Sequence, residues 1–215
     1  KTPLDEIMTM KLVNNWLGED DALFVSNSMP IRDAEAHIHE TKATAIMCNR
    51  GASGIDGVIH TAIGAASALP SGRVSLVIGD VASIHDLNAL HALRKSENAN
   101  RVPDITIVVV NNGGGGIFSF LPISEFSDDF TPLHDTPHEV DFAAAAGMFG
   151  IDYRKVTTQE ELDCAFAERV VSEPGPLLIE AKVPPPEDNV KLHRSIGAEV
   201  QRGLGDLFLR SSGDL

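Results

Sequence analysis

Two segments of the sequence carry side chains that could bind a metal ion, and each follows an apolar run. Asp80 comes shortly after residues 74–78, and Asn112 comes shortly after residues 105–110. A carboxylate oxygen of Asp80, an amide oxygen of Asn112 and the backbone carbonyl of Gly114 are hard ligands of the kind that Mg²⁺ takes together with phosphate oxygens. Glycine at this last position would let the backbone come close to the metal and adopt a positive φ. The sequence therefore predicts a site for Mg²⁺, or Mn²⁺ in its place, together with a diphosphate.

The residues around Asp80 favour phosphate binding at the same place. A helix predicted over residues 83–95 would direct the N–H groups of its first turn toward phosphate oxygens, and Gly79, Ala82 and Ser83 are candidate contacts. Either segment alone would favour a simpler interpretation, a helix-capping aspartate or a flexible glycine loop. Their occurrence together, each at the end of a predicted strand, favours the metal site.

Two arginines lie in further segments that follow predicted strands. Arg50 belongs to an N-R-G-A-S-G-I-D-G segment that opens a helix, and Arg32 belongs to an S-N-S-M-P-I-R-D segment. A guanidinium group matches a carboxylate with two parallel hydrogen bonds, so both arginines are candidate anion receptors. The alternatives are a surface arginine in a turn for Arg50 and, for Ser28, a cap on the helix that Pro30 begins. An arginine in the first helical turn, as Arg32 would be, opposes the helix dipole, which suggests a role other than stability.

The elements that must position these residues alternate between strand and helix. The alternation, with continuous apolar strands, predicts an α/β fold: a doubly wound parallel sheet with helices on both faces, in a single domain over residues 1–215. In such a sheet, ligands bind outside the carboxyl ends of the strands. The predicted strands cover residues 22–25, 43–48, 74–78, 105–110, 153–156 and 177–183. One predicted helix follows the first strand and ends near residue 39, and the others cover residues 57–69, 83–95, 138–149, 159–171 and 192–209.

Composition and charge exclude several classes of function. The chain has 31 acidic and 17 basic residues, and its net charge of -14 argues against a nucleic-acid or anionic-membrane surface. No segment is long and apolar enough to span a membrane. The two cysteines, Cys48 and Cys164, lack metal-site spacing and are too few for a disulfide framework, which favours a reducing compartment. The histidines form no metal-binding motif, and we predict a structural or surface role for residues such as His85, His91, His134 and His138.

The segments together resemble the thiamine diphosphate enzymes, whose G-D … N-N pattern is matched by Gly79-Asp80 and Asn111-Asn112. Within that family, the segments S-N-S-M-P-I-R-D, N-R-G-A-S-G-I-D-G, G-D-V-A-S-I-H-D-L-N-A-L and N-N-G-G-G-G-I-F-S-F-L-P resemble the 2-succinyl-5-enolpyruvyl-6-hydroxy-3-cyclohexene-1-carboxylate (SEPHCHC) synthases. The resemblance is strongest over residues 22–149. The sequence departs from the family at two places, an insertion around residues 95–101 and Gly113, where many relatives have a third asparagine. The glycine affects a local cofactor contact and leaves the metal ligands unchanged.

This resemblance implies a role for each segment. Asp80, Asn112 and the Gly114 carbonyl would bind Mg²⁺, and Ile55 would be the apolar wedge that holds the cofactor bent. The residues in contact with thiamine diphosphate would be Ser53, Gly54, Ile55, Gly79, Asp80, Ala82, Ser83 and Asn112. The substrates would be bound by Ser28, Arg32 and Arg50, which would receive their carboxylates, and by Ile117 and Phe118, which would line the pocket.

The family also implies a reaction and a larger assembly. The reaction is decarboxylation of 2-oxoglutarate and transfer of the resulting succinyl-semialdehyde unit to isochorismate, in menaquinone or phylloquinone biosynthesis. The chain would be the C-terminal, diphosphate-binding domain of a three-domain enzyme. Because the activating glutamate would lie in the N-terminal domain, this domain would hold no catalytic residue and would be inactive alone. The active site would form between subunits of a homodimer or homotetramer, in the bacterial cytoplasm or in a plastid.

Three other functions compete with this one. Another thiamine-diphosphate-dependent 2-oxoacid decarboxylase or carboligase would handle smaller substrates and need fewer carboxylate receptors than Arg32 and Arg50 provide. A nicotinamide-dependent dehydrogenase would need a G-x-G-x-x-G segment and a ribose-binding acidic residue about twenty positions later, for which the sequence has no good match. A non-catalytic remnant domain is disfavoured because every metal-site residue is retained.

Overall fold

The computed structural model describes residues 1–94, 102–126 and 130–211, with side chains described up to residue 204. Six parallel strands form one sheet in the order β2-β1-β3-β4-β6-β5. The strands are β1 (Ala22–Val25), β2 (Ala45–Met47), β3 (Val74–Gly79), β4 (Ile105–Asn111), β5 (Asp152–Val156) and β6 (Pro176–Lys182). The two strands that the predicted metal ligands follow, β3 and β4, are therefore adjacent and central.

Helices cover both faces of the sheet, which confirms the doubly wound α/β prediction. The helices are α1 (Glu6–Asn15), α2 (Met29–His37), α3 (Val58–Ala68), α4 (Asp80–His85), α5 (Phe142–Phe149), α6 (Gln159–Val171) and α7 (Pro186–Ser211). Helices α3, α4 and α5 contribute to the hydrophobic core on one face, and α1, α2 and α6 contribute to the core on the other. The connections between parallel strands thus run on both sides of the sheet, and the residues after each strand collect at one edge.

Strand β4 shows why the sheet is sandwiched in this way. All seven of its residues are buried. Its side chains alternate between the two cores: Ile107 and Val109 pack on one face, while Val108 and Val110 pack on the other. A β-branched run of this kind favours a strand that is covered on both sides, because neither face needs a polar residue.

The predicted helix over residues 83–95 divides in two. Helix α4 begins three residues earlier, at Asp80, and a 3₁₀ helix over Leu87–Leu93 follows it. Between them, the Asp86 carboxylate accepts hydrogen bonds from the backbone N–H of His60 at 3.1 Å and pairs with its Nδ1 at 2.8 Å. This contact with α3 fixes the break. Residue 95, like the predicted insertion over residues 95–101, lies outside the described part of the chain.

Capping side chains set two other helix boundaries. Helix α5 begins at Phe142 and not at residue 138, because Asp141 accepts a hydrogen bond from the Ala143 N–H at 2.9 Å. Helix α1 is an element for which we made no prediction, and Asp5 caps it by accepting from the Met8 N–H at 2.7 Å. Within the described ranges, no helix has the length and apolar character needed to cross a membrane.

Candidate functional site

A cavity of about 550 Å³ opens at the carboxyl ends of β1, β3 and β4, where a parallel sheet presents its ligands. Nearly all of the predicted site residues line it, although they come from four separate segments of the chain. These lining residues are Ser28, Arg32, Arg50, Ser53, Gly54, Ile55, Gly79, Asp80, Ala82, Asn112, Gly114, Ile117 and Phe118. Ser83 is the predicted residue that does not line the cavity.

Asp80 connects the ends of the two central strands. It is the first residue of α4 and only 2% exposed. Its Oδ1 accepts a hydrogen bond from the Val81 N–H at 2.7 Å, and its Oδ2 accepts one from the Gly113 N–H, beyond β4, at 2.8 Å. Burial raises the pKa of the Asp80 carboxyl above its ordinary value, although both hydrogen bonds oppose the rise. A bound cation beside this carboxylate would offset the cost of burying its charge.

Asn112 and Gly114 place two further oxygens on the same cavity. The Asn112 Oδ1 accepts a hydrogen bond from the Gly114 N–H at 3.1 Å, and the Gly114 carbonyl accepts one from the Gly116 N–H at 3.0 Å. A carboxylate, an amide oxygen and a backbone carbonyl thus lie together, and this donor set suits Mg²⁺.

The reason for glycine at position 114 differs from our prediction. The positive φ, +93°, belongs to Gly113, and the prediction of a positive φ at Gly114 is wrong. Gly114 is instead required by close packing, since a Cβ atom there would lie 2.4 Å from the backbone carbonyl oxygen of Asp135. Gly113 is also the position where many relatives have a third asparagine, and its backbone N–H is the one that binds Asp80.

Glu6 is a cavity residue that sequence reasoning missed. It belongs to the first turn of α1, is 6% exposed, and accepts a hydrogen bond from the Asn112 Nδ2 at 2.9 Å. Burial raises the pKa of its carboxyl to about 7; the Asn112 hydrogen bond opposes this rise and the charge of Asp80 adds to it. By holding the amide nitrogen of Asn112, Glu6 directs the amide oxygen away from itself. The spacing Ile7, Met10 and Val13 could have revealed the helix, but no local signal places Glu6 at the site.

His138 also lies beside Asp80, one of the candidate metal ligands. Its side chain is 13% exposed, and its Nε2 lies 3.2 Å from the Asp80 Oδ2. Its Nδ1 accepts a hydrogen bond from the Val140 N–H at 3.3 Å, and its buried Nε2 makes no hydrogen bond of acceptable geometry within the described residues. Our prediction of a structural or surface role did not include this contact.

The first turn of α4 carries the candidate diphosphate contacts. Ala82 lines the cavity, while Ser83, next along the helix, is 1% exposed. The Ser83 hydroxyl has no hydrogen-bond partner within the described residues. A buried hydroxyl usually has one, but Ser83 lies behind Ala82 and does not line the cavity, so its position alone does not indicate a phosphate contact.

The loop after β2 is tied to the end of β1 by Asn27. The Asn27 Nδ2 donates to the Gly54 carbonyl at 2.8 Å, and its Oδ1 accepts from the Arg50 Nη1 at 3.0 Å. These contacts hold Ser53, Gly54 and Ile55 on the cavity wall, and Ile55 also packs against the core. The Arg50 side chain is exposed and has further N–H groups beyond the one that Asn27 engages.

Ser28 adopts a strained backbone conformation at the entrance to α2. Its φ is +71° and its ψ is -131°, values that glycine adopts far more readily than serine. Its side chain does not cap the helix, so that alternative is wrong. Its carbonyl instead accepts a hydrogen bond from the Arg32 Nη1 at 2.5 Å. Strain of this kind persists at sites where the surrounding structure imposes it for a function.

The two arginines therefore share the cavity with the acidic groups at the sheet edge. Arg32 and Arg50 line one wall as exposed side chains, whereas Glu6 and Asp80 are buried. Ile117 and Phe118 belong to a 3₁₀ helix over Gly116–Phe120 and add apolar surface, and the Phe118 ring packs against His134 with centroids 5.4 Å apart. Such a cavity suits a ligand that carries both phosphate and carboxylate groups, provided that a cation neutralises the acidic end.

Most of the chain matches a known family. The model described as "Thiamine pyrophosphate enzyme, C-terminal TPP binding domain" matches residues 32–181, a range that includes Asp80, Asn112 and Gly114. This chain belongs to that family. Thiamine pyrophosphate and thiamine diphosphate are the same cofactor, so the family membership agrees with the donor set described above.

Curated relatives within this family have a common name. The chain is 42% identical over 200 residues to a protein of Chlorobium phaeovibrioides, with 92% of this chain and 33% of the relative covered. It is 43% identical over 195 residues to one of Rubrobacter xylanophilus (90% and 32%) and 41% identical over 210 residues to one of Chlorobium chlorochromatii (96% and 34%). Each relative is named a 2-succinyl-5-enolpyruvyl-6-hydroxy-3-cyclohexene-1-carboxylate synthase. The chain spans about a third of their length.

Proposed function

We propose that this chain is the C-terminal, diphosphate-binding domain of a SEPHCHC synthase. The complete enzyme would use thiamine diphosphate and Mg²⁺ to decarboxylate 2-oxoglutarate and transfer the succinyl-semialdehyde unit to isochorismate. The observation that carries the proposal is the convergence, in one cavity, of three hard oxygen donors with two arginines. Oxygen donors alone would support any thiamine diphosphate enzyme, whereas the added guanidinium groups suit substrates with several carboxylates.

The metal and cofactor contacts follow from the residues at the sheet edge. Asp80, Asn112 and the Gly114 carbonyl would bind Mg²⁺, or Mn²⁺, and Gly79, Ala82 and Ser83 would lie next to the diphosphate. Ser53, Gly54 and Ile55, which line the same cavity, would contact the rest of thiamine diphosphate. When bound, the cofactor supplies the electron sink for decarboxylation and carbon–carbon bond formation.

The chain's own residues would bind and orient the substrates. The guanidinium groups of Arg32 and Arg50 would each form paired hydrogen bonds with a substrate carboxylate, with Ser28 beside them. Ile117 and Phe118 would exclude water from the apolar part of the substrate. Asn27 fixes one nitrogen of Arg50, and the Ser28 carbonyl fixes one of Arg32, which reduces the entropy that each side chain loses on binding.

A test of the metal site is the substitution Asp80→Ala in the complete enzyme that contains this chain. Removing the carboxylate leaves the diphosphate charge poorly neutralised, so Mg²⁺-dependent binding of thiamine diphosphate should be lost in titration calorimetry. Asp20→Ala is the matched control, because Asp20 is an exposed aspartate before β1, at the other edge of the sheet. Unchanged cofactor affinity in Asp80→Ala would refute the assignment.

A test of the substrate assignment is steady-state kinetics of Arg32→Ala and Arg50→Ala, with each substrate varied separately. A charge-assisted hydrogen bond contributes about 1.5–3 kcal/mol, so kcat/KM should fall roughly tenfold to a hundredfold for at least one substrate. Lysine at either position should restore only part of the activity, because an ammonium group lacks the planar fork. Arg154→Ala is the control, since that arginine lies on β5, exposed and paired with Glu168.

The outcomes of these kinetics separate the competing functions. If both arginine variants keep wild-type kcat/KM for both substrates, the SEPHCHC assignment fails and another thiamine-diphosphate-dependent decarboxylase or carboligase becomes the better proposal. If the complete enzyme binds no cofactor at all, the domain is a non-catalytic remnant.

We also propose that the chain folds but is inactive alone, since its relatives are about three times as long and the activating glutamate is expected in their N-terminal part. In the complete enzyme, a homodimer or homotetramer would bring the two parts together. Consumption of 2-oxoglutarate and isochorismate by the purified 215-residue chain would contradict this division of the active site.

A further inference from the structure

A cluster of three side chains outside the cavity joins α7 to α2. Asp33 and His37 lie on α2, and His193 lies on α7. One potential ligand atom from each residue lies within 4.8 Å of the other two. Asp33 and His37 are four residues apart, which places them on one face of the helix, and helical metal sites use the same spacing for paired ligands.

The two most buried ligand atoms of the cluster have no hydrogen-bond partner within the described ranges. These are the Asp33 Oδ1 and the His193 Nε2, which lie 3.2 Å apart. Asp33 is only 2% exposed, and a buried polar atom without a partner destabilises a fold. Two lone-pair-bearing atoms at this separation, on side chains from different helices, suit a shared cation.

The contact between the Asp33 Oδ1 and the His193 Nε2 is not a hydrogen bond, because neither atom has a partner of acceptable geometry although they lie 3.2 Å apart. Burial, together with the charges of Glu6 and Asp5, raises the pKa of the Asp33 carboxyl to about 8. A cation bound between the two side chains would offset the cost of burying the Asp33 charge.

We propose that Asp33, His37 and His193 bind a divalent transition metal of the Zn²⁺ type, at a site separate from the candidate Mg²⁺ site. Two imidazoles and a carboxylate are a ligand set of Zn²⁺, with a water molecule in the fourth position. In a tetrahedron with bonds of about 2.0–2.2 Å, ligand atoms lie roughly 3.3–3.5 Å apart. The Asp33–His193 separation is close to this value, and His37 has a ligand atom within 4.8 Å of both.

The surroundings favour a soft-to-borderline metal over Mg²⁺. The Phe120 ring packs edge-on against His193 with centroids 5.3 Å apart, and the His37 ring is 6.0 Å from the His193 ring. The two imidazole nitrogens suit a borderline metal, whereas Mg²⁺ demands six hard oxygen ligands and retains several waters. The metal would fix α7 against α2, the helix whose first turn carries Arg32. The site does not depend on the proposed reaction.

The experiment is Zn²⁺ titration of the complete enzyme in excess Mg²⁺, which occupies the oxygen site and leaves imidazoles free. We expect one Zn²⁺ per chain whose affinity falls at least ~100-fold in His37→Ala, His193→Ala and Asp33→Asn. Loss of a direct ligand should exceed the 10–100-fold cost of losing an outer-shell partner. His39→Ala is the matched control, because this exposed histidine lies two residues beyond the cluster and outside it. The Zn²⁺ site should also persist in Asp80→Ala.

A second readout identifies the ligands and guards against misfolded variants. Co²⁺ in the same titration should give the intense visible absorption of a tetrahedral site, and His193→Ala should abolish it. Zn²⁺ should raise the melting temperature of the wild type and of His39→Ala but not of the three cluster variants, whose metal-free melting temperatures establish that they fold. If Zn²⁺ affinity is the same in all variants, or if wild-type protein binds no Zn²⁺ in excess Mg²⁺, the proposal is overturned.

Discussion

Ser28 has a backbone conformation that favours glycine, so Ser28→Gly should stabilise the chain. A non-glycine residue in a sparsely populated region of φ and ψ costs about 1–3 kcal/mol, and Ser28 has a φ of +71° and a ψ of -131°. Glycine removes this strain but adds about 0.5–1 kcal/mol of conformational entropy to the unfolded chain. The net gain should be about 0.5–2 kcal/mol.

Urea unfolding of the 215-residue chain measures this difference, with two variants that isolate its cause. Ser28→Ala removes the hydroxyl and keeps the strain, so its free energy of unfolding should stay near that of the wild type. Ser67→Gly is the control, because Ser67 has an ordinary helical backbone in the last turn of α3, where glycine should cost up to about 0.5–1 kcal/mol. The two glycine variants should therefore shift the midpoint in opposite directions.

Equal destabilisation by Ser28→Gly and Ser67→Gly would refute the strain argument. If the argument holds, the same variant reports on function. A freed backbone at Ser28 would no longer hold its carbonyl against Arg32, so kcat/KM of the complete enzyme should fall while stability rises. A stabilised variant with unchanged kcat/KM would mean that the strain has no role in substrate binding.

Three further changes should affect stability in urea unfolding. Gly114→Ala should lower the free energy of unfolding by about 1–3 kcal/mol, because its Cβ would lie 2.4 Å from the Asp135 carbonyl oxygen. Gly147→Ala is the control and should be neutral or stabilising, since a Cβ there meets no atom within 4 Å. Similar values for both variants would contradict the packing argument. Asp104→Ala should lower the free energy of unfolding by about 3–5 kcal/mol, because it leaves the buried Arg169 guanidinium without its carboxylate partner. A loss no larger than that of the exposed control Glu168→Ala would refute this prediction. Asp141→Ala should cost about 1 kcal/mol, since Asp141 caps α5, and an unchanged midpoint would show that this cap contributes nothing.

Local patterns in the sequence were sufficient for the fold class and for the candidate metal ligands and arginines of the cavity, while the remaining lining residues came from the family resemblance. Buried β-branched runs predict strands such as β4 wherever they occur, because few other elements bury every residue of a short run. In a parallel sheet, the residues after each strand must meet at one edge. Asp80, Asn112 and both arginines could therefore be placed on one cavity before any contact was known.

Only the tertiary structure decided the contacts between residues distant in sequence. The position of Glu6 beside Asn112 depends on how α1 packs against the sheet, and no spacing in the chain encodes it. The break after α4 depends on Asp86 reaching His60 on another helix.

The backbone geometry at Gly113 and the proposed second metal site also depend on contacts between residues that are distant in sequence. A positive φ was expected at Gly114 but belongs to Gly113, because the Gly113 N–H is directed to Asp80 across the strand ends. Asp33 and His193 come together only through the packing of two helices that are far apart in the chain. Apolar periodicity and turn residues act over a few positions, whereas these pairings are selected by the free energy of the whole packed fold.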